Sequence, residues 1–236
     1  EDINPKFVEY ENGNNRQFSL QHFPQIPCLI QDGFARFDKN WRGTGIAIPV
    51  FSLRSAQSMG VGEFTDINLL VDWAEKVSLR MIQLLPVNDT TSTHTRADSY
   101  PYAAISAFAL HPIYASIETI AGKKHAKQIN SYLSRKDELN ASPGVDYETV
   151  MALKWDALTA LYQSMKNDVF QEVDYGNFYF ENSSWLVPYA AYGFLRDKFG
   201  SPDSSTWGKY ASFNDSLINE LCAPGAENFD AIALHY

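Results

Sequence analysis

Two short apolar runs, set either side of an amphipathic segment, limit this chain to very few folds. "GTGIAIPVF", residues 43–51, and "MIQLLPV", residues 81–87, are too short for buried helices and rich in branched side chains. That is the pattern of buried parallel strands. Between them, "DINLLVDWAEKV" repeats its apolar residues at helical spacing. Ile67, Leu70, Val71, Ala74 and Val77 are expected to face inward, with Thr65 or Asp66 capping the helix start. Strand, helix and strand of these lengths predict a right-handed βαβ unit. Its strand-end loops occupy the face that carries chemistry in both barrels and doubly wound sheets.

Two loops fall on that face. The first, "SLRSAQSMGVGEF", contains Gly60 and Gly62, but it lacks the third glycine and the strand contact of a dinucleotide fingerprint. The second runs from "NDTTSTHTRA" into "DSYPYAAISAFALHP", where Pro101 fixes the backbone between Tyr100 and Tyr102. Tyrosine pairs a ring face, which covers C–H patches, with a phenol that bonds hydroxyl groups. The loop is therefore a candidate platform for something flat and hydroxylated. The alternative is that Tyr102 only packs beneath the loop.

Further along, "ETVMALKWDALTALYQSMKND" places Met151, Trp155, Leu158, Tyr162 and Met165 on one helical stripe. "SSWLVPYAAYGFLRDKFG" predicts another helix, capped by Ser184, with Pro188 in its first turn and Gly200 at its end. The Trp155 and Trp185 stripes read as core rather than ligand platform. Residues 1–40 read as a lead-in or linker, 41–120 as the first β/α units with the tyrosine loop, and 121–236 as an all-helical insertion.

Charge narrows the function classes. Nineteen Lys and Arg against 28 Asp and Glu give a net charge of −9, with the cations dispersed. A phosphate backbone is a poor partner for such a chain, so nucleic acid is excluded. No apolar run approaches the length of a bilayer crossing, so no membrane partner is expected. Cys28 and Cys222 are far apart, and neither they nor the five histidines show metal-ligand spacing. No metal site is expected, and the cysteine usage favours a reducing, cytoplasmic setting.

The ordered motifs "GTGIAIPVFSLRSAQSMGVGEFTD", "MIQLLPV" and "DSYPYAAISAFALHPIY" resemble the amylomaltases, or disproportionating enzymes, which are 4-α-glucanotransferases. "VDYETVMALKWDALTALY" and "SSWLVPYAAYGFL" look like the helical subdomain those enzymes insert into their barrel, and the resemblance is nearest to the plant-type cytosolic forms and their bacterial relatives. It implies an α/β fold, the amino-terminal part of a (β/α)8 TIM barrel with an inserted helical subdomain. It also implies glucan transfer by a retaining double displacement, using an Asp nucleophile and a Glu acid/base about 5–5.5 Å apart.

By this resemblance Tyr102 matches the tyrosine lying against the sugar beside the scissile bond. Ser99 and Asp98 match the polar residues before it. The inserted residue in Asp-Ser-Tyr-Pro-Tyr brings Tyr100 into the same candidate set, and Ser52 is a further candidate. In this family both carboxyls come from later barrel strands, so the resemblance implies that they lie beyond Tyr236; Glu63, Asp66, Asp89 and Asp98 make no convincing acid/nucleophile pair of their own. The plant-type forms carry starch-binding modules ahead of the barrel, and by the resemblance residues 1–40 would be the connection from such modules. Expected partners are maltooligosaccharides and starch or glycogen-like glucans. No cofactor is implied, because transfer between sugars needs only carboxyls and positioning. A non-catalytic glycan-binding module and an α-amylase-type hydrolase are the rival readings.

Overall fold

The computed structural model describes residues 43–236. The proposed lead-in of residues 1–40, with Cys28 and His22, lies outside the described residues. Gly45–Tyr236 form one compact unit.

The two apolar runs form strands β1 (Gly45–Ile48) and β2 (Met81–Leu84), joined through helix α1 (Asp66–Lys76). They pair in parallel, with Gly45 opposite Met81 and Ile48 opposite Leu84. The strand–helix–strand unit is therefore present, although its strands are not buried on both faces. Ala47, Met81 and Gln83 point to solvent, because among the described residues the sheet has only two strands. Helix α1 corrects another expectation. Leu70 and Ala74 are buried, whereas Val71 and Val77 are exposed beside Leu69 and Trp73. A two-stranded sheet covers a narrower stripe of the helix than a full barrel layer. Neither candidate cap forms either: Thr65 makes no side-chain bond to the helix end, and the Asp66 carboxylate turns back to the Glu63 N–H and the Ser58 hydroxyl.

The other α-helices among the described residues are α2 (Ile117–Ala121), α3 (Ala126–Leu133), α4 (Lys136–Ala141), α5 (Tyr147–Val169), α6 (Val173–Phe199), α7 (Asp215–Leu221) and α8 (Phe229–Ala233). Among the described residues no helix is long and apolar enough to cross a membrane. Helix α6 begins well before Ser184, so Ser184 is not its cap and Pro188 lies in its interior. Pro188 has no N–H to offer the Ser184 carbonyl, a local cost that packing on both sides of the helix outweighs. Gly200 does end the helix, in the left-handed conformation at φ 62°.

One core joins Val50, Met59 and Val61 of the first strand-end loop to Ile113, Ile117, Ile129, Val150, Met151 and Leu161. A second gathers Ala190, Ala191 and Leu195 of α6 with Trp207, Ile218, Cys222 and Ile232. The first loop is pinned to α4. Arg54 donates to the carbonyls of Leu139, Asn140 and Ser142, and Asn140 bonds both Gly60 N–H and Ser58 O. A Cβ on Gly62 would lie 2.0 Å from the Val50 carbonyl oxygen, and Gly60 sits at φ 76° against Leu139. These glycines serve close packing, consistent with their failure as a nucleotide motif.

The stripe on α5 is rotated from its expected position. Its buried line is Val150, Met151, Leu153, Lys154, Ala157 and Leu161, while Trp155 stays half-buried. Lys154, 0% exposed, donates to Glu63 Oε1 at 2.7 Å and to the carbonyls of Ile113 and Ala115. Burial pulls its ammonium below the usual lysine range, against the attraction of Glu63. Removing one partner of such a pair strands the other's charge in the core. Lys154→Met is expected to cost about 3–5 kcal/mol in denaturant unfolding, and adding Glu63→Leu should recover most of it. A single-variant loss below about 1 kcal/mol would show that water reaches the pair.

Candidate functional site

The second strand-end loop leaves β2 and returns on itself. Asn88 and Leu110 form an antiparallel bridge, Asp89 N–H donates to Ala109 O, and Ile105 N–H donates to Asp89 O. His111 N–H closes the neck on Val87 O. The segment from Asp89 to Ala109 therefore starts and ends at one place, above the carboxyl end of β2.

Two buried carboxylates hold the loop's interior. Asp98 accepts from the N–H groups of Ser92, Thr93 and His94, at 2.7–3.1 Å, and from the Thr93 hydroxyl. Thr90 Oγ1 donates to the Asp98 carbonyl. Asp89 Oδ1 accepts from Thr91 N–H and Oγ1 in an Asx-turn, while Oδ2 accepts from Tyr189 Oη at 2.7 Å. Oriented N–H groups around an anion stabilise it and rigidify the chain that carries them. Neither carboxylate is free to attack a substrate.

The candidate residues then separate. Asp98 and Ser99 line a cavity of about 240 Å³ with Phe51, Asn88, Arg96 and His111. Tyr100 and Tyr102 stand outside its lining and form an exposed pair. Each is 59% exposed, and their rings are 5.4 Å apart at an interplanar angle of 54°. Tyr102 is thus not packed beneath the loop. Ser52 is also exposed, its hydroxyl spent on Pro49 O at 2.8 Å. Among the described residues no cluster of His, Cys, Asp or Glu has the arrangement of a metal site.

The sequence did not single out the polar residues that complete this region. His111 is buried; its Nδ1 accepts from Ile113 N–H, which fixes the Nε2–H tautomer facing Tyr147 Oη at 3.2 Å. Burial pushes its pKa down to about 4, against the opposing pull of Asp89 and Asp98. Burial beside Asp89 also raises the Tyr189 phenol, so it stays a donor. Trp155 and Trp185, expected in the core, instead line an apolar cavity of about 550 Å³, where Phe108 stacks on Trp185 at 5.4 Å.

The architecture is that of an α/β chain in which a strand-end loop, braced from within by carboxylates, presents paired aromatic rings. Residues 48–236 match the family model described as 4-alpha-glucanotransferase, and the chain belongs to that family. It is 39% identical over 235 residues to the rice (Oryza sativa subsp. japonica) 4-alpha-glucanotransferase DPE2, a match covering 96% of this chain and 24% of the rice protein. Over 166 residues it is 32% identical to the Chlamydia caviae 4-alpha-glucanotransferase, covering 70% of this chain and 30% of that protein. A Haemophilus influenzae 4-alpha-glucanotransferase matches at 26% over 141 residues, 57% of this chain and 20% of that protein. The chain spans about a quarter of the length of its rice relative.

The His111 geometry sets a pH dependence. An unfolded imidazole binds a proton below about 6.5, whereas the folded one stays neutral until about 4, so stability falls as pH drops through that window. The loss attributable to His111 should be roughly 1–3 kcal/mol. Urea unfolding at pH 7 and pH 4.5 checks it: His111→Asn should show a shallower fall than the parent, and equal falls would contradict the assignment.

Proposed function

We propose that this chain is the amino-terminal portion of a 4-α-glucanotransferase catalytic domain and supplies part of its glucan-binding surface. The observation that carries this reading is the exposed Tyr100–Tyr102 pair on a loop whose inner polar groups are fully occupied. Two tilted rings of that size suit the C–H face of a glucosyl unit, and their phenols, which make no hydrogen bond among the described residues, can meet its hydroxyls. In this reading Tyr102 lies against the sugar beside the scissile bond. Ser99, Asp98, Tyr100 and Ser52 complete the substrate-facing set, Asp98 acting through the loop it holds.

The substrates are maltooligosaccharides and starch or glycogen-like α-1,4-glucans, and the setting is cytoplasmic. Residues 41–120 contribute the first units of a (β/α)8 barrel and 121–236 its helical insertion, with 1–40 as the lead-in. The parallel β1–β2 pair, with its loops at one end, supports that assignment. The reaction is a retaining double displacement, whose attacking and protonating carboxyls act from opposite sides of the glycosidic bond. Glu63, Asp66, Asp89 and Asp98 are all engaged in structural contacts. That supports placing the Asp nucleophile and the Glu acid/base in sequence beyond Tyr236.

The same engagement of the carboxylates favours a second reading, a glycan-binding module without catalysis. Two assays separate them. Maltoheptaose titration of residues 1–236, followed by tyrosine fluorescence, should give saturable binding that weakens about tenfold in Tyr102→Ala. The complete reading frame should convert maltotriose to glucose and longer maltodextrins, while residues 1–236 alone should not. Unchanged affinity in Tyr102→Ala would sink the binding role, and binding without turnover by the complete protein would favour the module. Net hydrolysis instead of redistribution would indicate an amylase-type enzyme.

A further inference from the structure

Helix α6 reaches the tyrosine loop from a hundred residues away in sequence. Tyr189, Arg196 and Asp197 are seven and eight positions apart, so they share one face over two turns. Tyr189 Oη donates to Asp89 Oδ2 at 2.7 Å. Arg196 Nη1 donates to Thr91 O at 2.6 Å, and its Nε and Nη2 bond Asp197 at 2.7 and 3.0 Å. Asp197 Oδ1 meets His94 Nε2 at 2.7 Å. The grip therefore falls on loop positions 89, 91 and 94. His94 is held at φ 57°, unusual for a residue with a side chain, and its N–H bonds the same Asp98 carboxylate that accepts from Ser92 and Thr93.

These contacts are expensive to leave unmade. Asp89 is 2% exposed and Arg196 is 4% exposed, so losing a partner strands a buried charge rather than returning it to water. Here three consecutive anchors run along the stem of the segment that ends in Tyr100 and Tyr102, and all three come from one rigid helix. Bound carbohydrate stacks on those rings only if their backbone stays where it is, since each free rotamer must be frozen on binding.

We propose that Tyr189, Arg196 and Asp197 are positioning residues for the tyrosine loop, so that α6 sets the affinity of the chain for α-1,4-glucan without touching it. This deepens the reading of the loop as the glucan-binding element and rests on it. The helical part of the chain then acts on substrate through the loop, because the α6 contacts to Asp89, Thr91 and His94 hold the stem that leads to the Tyr100–Tyr102 pair.

The test is Tyr189→Phe in residues 1–236, which removes one oxygen and leaves the ring in place. Two measurements are made, amide hydrogen exchange by mass spectrometry and maltoheptaose titration. Exchange across residues 89–102 should rise about tenfold or more, with α5 unchanged, and affinity should fall about three- to tenfold. Asp197→Asn, at a partly exposed site, provides a second variant should the first lose its fold, and it should loosen the same segment. Unchanged loop exchange in a folded variant overturns the inference, and so does faster exchange with parental affinity. If the parent chain fails to bind maltoheptaose while the loop still loosens, the anchoring by α6 stands and the glucan reading alone fails.

Discussion

The fold around the candidate site depends on one constraint: a loop of some twenty residues cannot hold its backbone N–H groups together without an acceptor. Asp98 supplies it, collecting three N–H groups within one turn, and Asp89 does the same for Thr91. Buried anions of this kind are stable only when fully bonded, and here they are. Their occupation separates the site into two roles. The carboxylates shape the loop, and the aromatic rings are left free at its tip. A residue that looks catalytic by type is therefore structural by environment.

The same logic extends into the supporting core. Lys154 and Glu63 join α5 to the start of α1 through a pair with no access to water, and Lys154 also satisfies two carbonyls at the Ile113–Ala115 turn. That turn follows directly after the neck of the tyrosine loop. One end of the loop is thus tied to α5 and its stem to α6, so the two longest helices both bear on the geometry of Tyr100 and Tyr102. The exposed apolar residues of α1 contribute nothing to this arrangement, and the two-stranded sheet serves chiefly as the base from which both loops rise.

What the sequence made legible was local. The strands 45–48 and 81–84, the intervening helix and the Gly200 terminus all carry their signal within a few residues. The start of α6 was not legible, because Pro188 and Ser184 mimic a helix beginning and only tertiary packing carries the helix on through them. The face of α5 was misjudged because a buried lysine counts as polar in any periodicity, although Lys154 is among the least exposed side chains. The Asp89–Tyr189 bond joins residues 100 positions apart, and no short motif announces it. Asp89 could be read as a turn residue, and it is one, but its second oxygen had no partner visible in the sequence. The ordered motifs did point to the family, since they concentrate where the loops meet the strands.

The most direct test is a crystal structure of residues 1–236 soaked with maltoheptaose. The account predicts a glucosyl ring seated on Tyr102, with Tyr100 beside it and the Asp89–Tyr189 hydrogen bond kept. Sugar bound elsewhere, with the Tyr102 ring untouched at full ligand occupancy, would contradict it.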